Sequence, residues 1–136
     1  MENLTKQLRN LIDNSRSSME VTHILELVTY VAFIAKENPE SFQIIVNSGH
    51  AKQLDMLIEA GKVLEGHHPK EVCSAPSHYR IDAKIINHVV NSIAAITNFE
   101  LLASALRELS TQALGRYSVD SANQNMVRIF SALVGD

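Results

Sequence analysis

The sequence predicts an all-α fold, in which a single domain covering residues 1–136 forms a bundle of about six to seven helices. Apolar residues recur at steps of three and four along most of the chain, which is the period of one helix face. Five Gly and three Pro among 136 residues leave few turns, which favours long helices over a many-stranded fold. The longest apolar-rich run, at 19–37, has the same helical spacing.

The run at 19–37 is predicted to be the central helix of the bundle. Its apolar side chains cover most of the helix circumference, namely Val21, Ile24, Leu25, Leu27, Val28, Tyr30, Val31, Ala32, Phe33, Ile34 and Ala35. A helix that is apolar nearly all round has neighbours on several sides. His23 and Glu26 interrupt the run, which is also shorter than the roughly 20 uncharged residues of a membrane span. We therefore predict no contact with a membrane.

An amphipathic helix is predicted before the central helix, over 2–13, because its large apolar residues share one face: Leu4, Leu8, Leu11 and Ile12. A polar break follows, in which Ser17 or Ser18 is suited to cap the central helix. Beyond the central helix, Pro39 disfavours helical geometry in the residue before it. Pro39 also suits the first turn of a new helix, which is predicted to run to Asn47.

A further helix is predicted over 50–65, and Gly61 within it is expected to weaken it by about 1 kcal/mol relative to alanine. Residues 66–77 form the one long irregular stretch, with two prolines, two adjacent histidines and the lone cysteine. This stretch is predicted to be an internal loop between two helical halves, 2–65 and 78–134. Neither half is expected to bury enough surface to fold alone.

Three helices are predicted in the second half, over 78–96, 99–114 and 121–134. Asn98 is expected to cap the middle one, and Gly115 to end it. The chain ends directly after an apolar helix face, without a polar tail. This ending is typical of a domain cut from a longer protein, so we expect the chain to be the N-terminal fragment of one.

Composition restricts the classes of function. A formal net charge of −3 gives no electrostatic case for autonomous nucleic-acid binding, which usually shows as a basic excess. The single cysteine excludes an intramolecular disulfide and is typical of a reducing compartment. The N-terminus lacks the uninterrupted apolar stretch of a signal peptide. These observations predict a cytoplasmic protein.

The best local cluster of chemically active side chains comprises His67, His68, Cys73 and His78. Imidazole and thiolate groups are zinc ligands, but structural zinc sites usually come as closely spaced pairs, and the second pair is missing. An exposed loop that contains histidines is the favoured interpretation. Cys73 and His78 also suggest a nucleophile and its base. Because no orienting acid or oxyanion donor can be assigned, a small, partly buried thiol is favoured.

Two further histidines, His23 and His88, are candidates for catalytic or metal-binding groups. His23 and Glu26 lie one helical step apart and suggest an acid–base pair or half of a metal site. A histidine at the edge of the core, bonded to a neighbour, is the favoured interpretation of His23 and also of His88. The glycines never fall in a G-x-G or Walker pattern. No catalytic, cofactor-binding or metal-binding residue is therefore predicted.

Scattered basic residues make the second half slightly less acidic than the first. Arg107, Arg116 and Arg128 are possible DNA-phosphate contacts, because contacts to the DNA backbone need only scattered arginines and lysines. Arg80 and Lys84 belong to the same set. A solvated surface is the commoner explanation of so few charges.

Three segments carry a family resemblance, and an amphipathic helix precedes them. They read LELVTYVAFIAKENPESF, then FELLASALREL, and finally GRYSVDSANQNMVRIFSALVGD. In this order they resemble the N-terminal helical domain of N6-adenine DNA methyltransferases, the modification subunits of type I restriction–modification systems. The residues that match the family's last helix by spacing are Met126, Ile129, Phe130, Leu133 and Val134. Ser121-Ala122-Asn123 stands where that family often has Tyr-Thr-Pro.

The resemblance implies a parent protein that uses S-adenosylmethionine to methylate adenine in DNA. The glycine-rich cofactor loop and the Asn/Asp-Pro-Pro-aromatic motif do not occur in this chain. The chain would then be the non-catalytic part, which helps to clamp DNA and contacts the catalytic domain of the same chain and the specificity subunit. The alternative hypothesis is a free-standing helical protein–protein interaction or regulatory module, which would bind its partner through an apolar groove.

Overall fold

The computed structural model describes residues 4–15, 21–73, 82–111 and 121–135. Within these residues it contains no strand and confirms the predicted all-α fold. Seven helices of eight or more residues and one four-residue helical turn follow in the order α1 (Leu4–Ser15), α2 (Val21–Glu37), α3 (Pro39–Val46), α4 (His50–Leu64), α5 (Lys70–Cys73), α6 (Ala83–Ala94), α7 (Phe99–Thr111) and α8 (Ser121–Leu133). The caps predicted at Ser17 or Ser18 and the stop at Gly115 lie outside the described residues.

Helix α2 is the centre of the bundle, as predicted. All the residues at 27–35 are buried, so that about two and a half helical turns have no exposed side. Within the described chain, α2 contacts each of the other helical segments. Thr29 is buried in this run, and its hydroxyl donates a hydrogen bond to the Leu25 carbonyl at 2.9 Å. The polar group is therefore satisfied within its own helix.

Helix α1 confirms the predicted amphipathic pattern at the N-terminus. Leu8, Leu11 and Ile12 are buried, and the helix packs against α7 and α2. At its first turn, the Thr5 hydroxyl donates a hydrogen bond to Glu108 Oε2 on α7 at 3.0 Å. The first helix of the chain is thus held against a helix of the second half.

The start of α3 is fixed by two neighbouring residues. Asn38 Oδ1 accepts a hydrogen bond from the Ser41 amide at 3.4 Å, and Pro39 occupies the first helical position, as predicted. At the other end of α3, residues 47–49 connect it to α4. The carboxamide Nε2 of the buried Gln53 donates to the Ile45 carbonyl at 3.1 Å. This bond holds the first turns of α4 against the end of α3.

Gly61 lies at a close approach between α4, α2 and the end of α5. A Cβ atom at Gly61 would lie 2.4 Å from the Tyr30 hydroxyl oxygen and 2.7 Å from the Cys73 carbonyl oxygen. The Tyr30 hydroxyl donates to the Leu57 carbonyl at 2.8 Å. The expectation that Gly61 merely weakens α4 is therefore corrected, because the absent side chain makes room for this buried hydrogen bond.

The stretch at 66–77, predicted as an irregular loop, contains the helical turn α5. The Val72 amide donates to the Pro69 carbonyl at 3.2 Å, and Val72 and Cys73 are both buried. Two adjacent apolar residues give no helical period, so the sequence prediction missed this turn. Just before α5, His68 Nε2 lies 3.1 Å from Glu37 Oε1 at the end of α2. Residues 74–81 lie outside the described chain.

The second half of the chain adds α6, α7 and α8 to the same core. Helix α6 begins at Ala83, later than the predicted start at 78, because Asp82 caps it: Asp82 Oδ1 accepts from the Lys84 amide at 2.8 Å. Asn98 Oδ1 accepts from the Leu101 amide at 3.0 Å, which confirms the predicted cap of α7. Buried apolar residues from every helical segment belong to one core cluster.

Candidate functional site at the α3–α4 groove

The described residues of the predicted histidine–cysteine cluster lie in different environments in the structure. His67 is exposed, whereas His68 is held between Glu37 and the Phe33 ring, whose centroid lies 5.2 Å from that of the imidazole. Cys73 is buried, and His78 lies outside the described residues. Among the residues that are described, no three His, Cys, Asp or Glu side chains converge as ligands for a metal ion.

Cys73 has the environment of an inert core thiol. Only 2% of its surface is exposed. Burial raises the pKa of the Cys73 thiol above its usual range, and the nearby Glu65 carboxylate raises it further. Because the thiolate is the reactive form of cysteine, both the low exposure and the raised pKa oppose its use as a nucleophile. The sequence favours a partly buried thiol at Cys73, and the structure shows this thiol buried.

The thiol of the native protein is expected to react with a maleimide on the order of 10³-fold more slowly than that of the unfolded chain at neutral pH. Access to Cys73 requires the protein to open, and open states are rare in a folded domain. The chain has one cysteine, so mass spectrometry of the labelled protein follows this residue alone. Comparable rates in native buffer and in denaturant would contradict the buried position of Cys73.

The two other histidines singled out by the sequence, His23 and His88, lie on α2 and α6. His23 and Glu26 are both half-buried on α2. His88 is exposed on α6, so the interpretation of a core-edge histidine is corrected for this residue. It lies on the polar side of a helix whose opposite face carries Ile85, Ile86, Val89, Val90 and Ile93 into the core.

The predicted phosphate-contacting arginines lie on the last two helices. Arg107 is exposed on α7, and Arg128 is exposed on α8, where its Nη2 donates to Asn125 Oδ1. Helices α7 and α8 pack against each other. Arg116 lies outside the described residues, and so does Arg80. Lys84 is exposed in the first turn of α6.

A surface groove between α3 and α4 is the feature that the sequence analysis did not locate. Its volume is about 350 Å³, and its lining residues come from these two helices: Ser41, Ile44, Ile45, Asp55, Met56, Glu59, Ala60 and Val63. Ile45 and Ala60 are buried. Ile44 is 60% exposed and Val63 is 69% exposed. The groove therefore combines a buried apolar base with large apolar side chains that remain in contact with water.

The sequence contains a weak signal for these exposed residues. The core period of α3 is satisfied by Phe42 and Ile45, so Ile44 is an additional apolar residue outside that period. Val63 likewise stands beside Leu64, which takes the buried position at the end of α4. Apolar residues that exceed the needs of the core indicate an interaction surface when they lie side by side. Only the structure shows that these two line the same groove.

The charged side chains that line the groove are acidic. Asp55 and Glu59 lie one helical turn apart on α4 and are both exposed. Lys62 Nζ lies 3.5 Å from Glu59 Oε1, whereas no hydrogen bond or ion pair within the described part of the chain engages the Asp55 carboxylate. None of the lining residues is basic. The groove can therefore offer a partner both apolar surface and carboxylate oxygens.

Comparisons with protein-family models, with curated proteins and with solved structures found no match to this chain. None of the described helices is long and apolar enough to cross a membrane. The groove is therefore the feature from which a function can be inferred, because its exposed apolar residues Ile44 and Val63 lie outside the core.

Proposed function

We propose that this chain is a non-catalytic helical module that binds an amphipathic helix of another protein in the α3–α4 groove. The observation that carries the proposal is the pair of exposed apolar residues, Ile44 and Val63, on either side of a buried apolar base. Within a methyltransferase, as the family resemblance implies, that helix would belong to the catalytic domain or the specificity subunit. In a free-standing module it would belong to a separate protein.

The dimensions of the groove suit a helix. From Met56 to Val63 it extends about 10 Å along α4, at about 1.5 Å per residue, which is close to two turns of a partner helix. Two or three apolar side chains spaced at i, i+4 and i+7 would fit along it, as in helix-in-groove recognition. The described residues contain no strand, so pairing with a sheet edge is not available to them.

The test uses a stapled helical peptide of about 14 residues, with Leu at i, i+4 and i+7 and Gln at the other surface positions. We expect this neutral probe to bind saturably by fluorescence anisotropy. The double variant Ile44→Ser/Val63→Ser is expected to bind at least about tenfold more weakly, because burying each side chain contributes about 1.5–3 kcal/mol.

Leu101→Ser is the matched control, since Leu101 is 54% exposed on α7, outside the groove. It should bind the probe like the unmodified chain. Both variants should keep the free energy of unfolding within about 0.5 kcal/mol, because they change exposed positions. Equal binding by all three proteins, or no saturable binding to any, would contradict the proposal.

A second proposal, supported by the exposure of Arg107 and Arg128 on the packed pair α7 and α8, is that this face contacts DNA phosphates. It belongs to the methyltransferase hypothesis, in which S-adenosylmethionine binds elsewhere in the parent protein. Reading the coding sequence beyond Asp136 tests that hypothesis directly. Continuation into a glycine-rich loop and an Asn/Asp-Pro-Pro-aromatic motif would support it.

Charge reversal tests the DNA contact itself. We expect Arg107→Glu/Arg128→Glu to weaken binding to duplex DNA and to reduce the slope of log affinity against log salt by about 2, since each phosphate contact contributes about 0.9. Lys52→Glu, on α4 and outside the set of candidate phosphate contacts, is the control variant for one reversed charge. An unchanged affinity and slope in the double variant would remove both arginines from the proposal.

A further inference from the structure

We infer that the occupant of the groove is a cationic amphipathic helix, which places Lys or Arg side chains opposite Asp55 and Glu59. This inference rests on the proposed function and specifies its partner. It concerns the flank of the bound helix, whereas the proposal above concerns the apolar side chains that enter the groove. The two are tested by different variants.

The spacing of the two carboxylates suits a basic partner helix. Asp55 and Glu59 are four residues apart on α4, so they lie on one face and about 6 Å apart along the helix axis. Like charges at this spacing are mildly unfavourable in an isolated helix. A partner helix with two basic residues at i and i+4 would have the same spacing. Each carboxylate would then face one cation.

The two carboxylates differ in their partners within the chain. Glu59 already has Lys62 at 3.5 Å. Lys52 is three residues before Asp55, a spacing that permits an ion pair on a helix, yet no such pair forms between these described residues. The Asp55 carboxylate therefore offers its acceptor oxygens to a partner, and a cation placed there would not have to displace an internal one.

A second copy of the chain is an alternative occupant of the groove, but its charge does not suit the groove. A two-fold dimer brings the same patch of each subunit to the interface. The groove of the second copy would therefore add another Asp55 and another Glu59 to the contact. A basic helix instead complements the charge of the groove, which favours encounter and selects the partner.

The experiment compares three stapled peptides that share the same Leu stripe. They carry Lys, Gln or Glu at the two positions that face Asp55 and Glu59. Each exposed ion pair corresponds to roughly 1.4-fold to fivefold in affinity. We therefore expect the Lys peptide to bind about threefold to tenfold more tightly than the Gln peptide at about 0.05 M salt, and the Glu peptide to bind more weakly. At about 0.5 M salt the three affinities should converge.

Asp55→Asn/Glu59→Gln should remove the preference for the Lys peptide and leave the affinity for the Gln peptide unchanged. Glu100→Gln, an exposed carboxylate on α7, should leave the preference intact. Equal binding of the three peptides to the unmodified chain would overturn the charge inference while the groove proposal stands, provided that Ile44→Ser/Val63→Ser still weakens binding. Failure of every peptide to bind would overturn both.

Analytical ultracentrifugation tests the alternative occupant, a second copy of the chain. We expect the unmodified chain to sediment as a monomer at the concentrations of the peptide titrations. A dimer that dissociates on introducing Ile44→Ser/Val63→Ser would assign the groove to a second copy of the chain and overturn the inference.

Discussion

Replacing Gly61 with alanine is expected to lower the free energy of unfolding by about 2–4 kcal/mol, since it overpacks the core and disturbs a buried hydrogen bond. The new Cβ atom would lie 2.4 Å from the Tyr30 hydroxyl oxygen and 2.7 Å from the Cys73 carbonyl oxygen. Helix propensity alone predicts the opposite sign, a gain of about 1 kcal/mol. Urea denaturation followed by circular dichroism decides between the two.

Gly66→Ala is the matched control for that variant. An added Cβ atom at Gly66 would meet nothing within 4 Å, so we expect a change within about 0.5 kcal/mol. Combining Gly61→Ala with Tyr30→Phe removes the hydroxyl from the overlap but leaves the Cys73 carbonyl in place, so it should restore only part of the loss. A Gly61→Ala protein as stable as the unmodified chain would contradict the close approach of α4 to α2.

The second large effect is expected at the centre of α2. Phe33→Ala should lower the free energy of unfolding by about 3–5 kcal/mol, because it leaves a cavity in a fully buried region. Phe33 is 0% exposed, and its ring also contacts His68. Since domains of this kind are stable by about 5–15 kcal/mol in total, this single change is expected to remove a large share of that stability.

Ile44→Ala is the comparison for Phe33→Ala, and the same denaturation experiment serves both. Ile44 is 60% exposed, so its truncation should change the free energy of unfolding by no more than about 0.5 kcal/mol. Similar losses of unfolding free energy in the two variants would mean that the Ile44 side chain contributes as much to the core as the Phe33 side chain. That outcome would also weaken the case for the groove, which requires residues that the fold does not need.

The sequence is informative where one physical effect dominates. The apolar positions of α2 exceed what one face requires, and this alone predicts a helix with neighbours on every side. Capping residues give similarly local information: Asn98 accepts from the amide of Leu101 as expected, because the bond is made between residues three apart. The fold class, the central helix and the start of α7 can therefore be predicted from the sequence alone.

The missed features depend on contacts between residues far apart in the chain. Gly61 looks like a defect in α4 until Tyr30, from another helix, is placed against it. His68 and Cys73 look like neighbours in a cluster, yet one contacts Glu37 and the other is buried near Tyr30. Local patterns cannot show such directions, because they follow from how the helices pack.

The groove was the least predictable feature for the same reason. Ile44 and Val63 are 19 positions apart in the sequence, and neither has the period of a separate helix face. Their common surface exists only because Gln53 and the short connection at 47–49 set α4 beside α3. The interaction-module hypothesis predicts an apolar groove in general but does not say which residues line it.

The complete burial of residues 27–35 has a consequence for how such a protein can diversify. Every side chain in that stretch is buried, and all of them except Thr29 belong to the hydrophobic core, so a change there alters stability first and recognition only indirectly. Ile44, Asp55 and Val63 are exposed, so replacing them is expected to leave the bundle intact. Under the proposed function, recognition and fold maintenance depend on different side chains of α3 and α4, so one can change without the other.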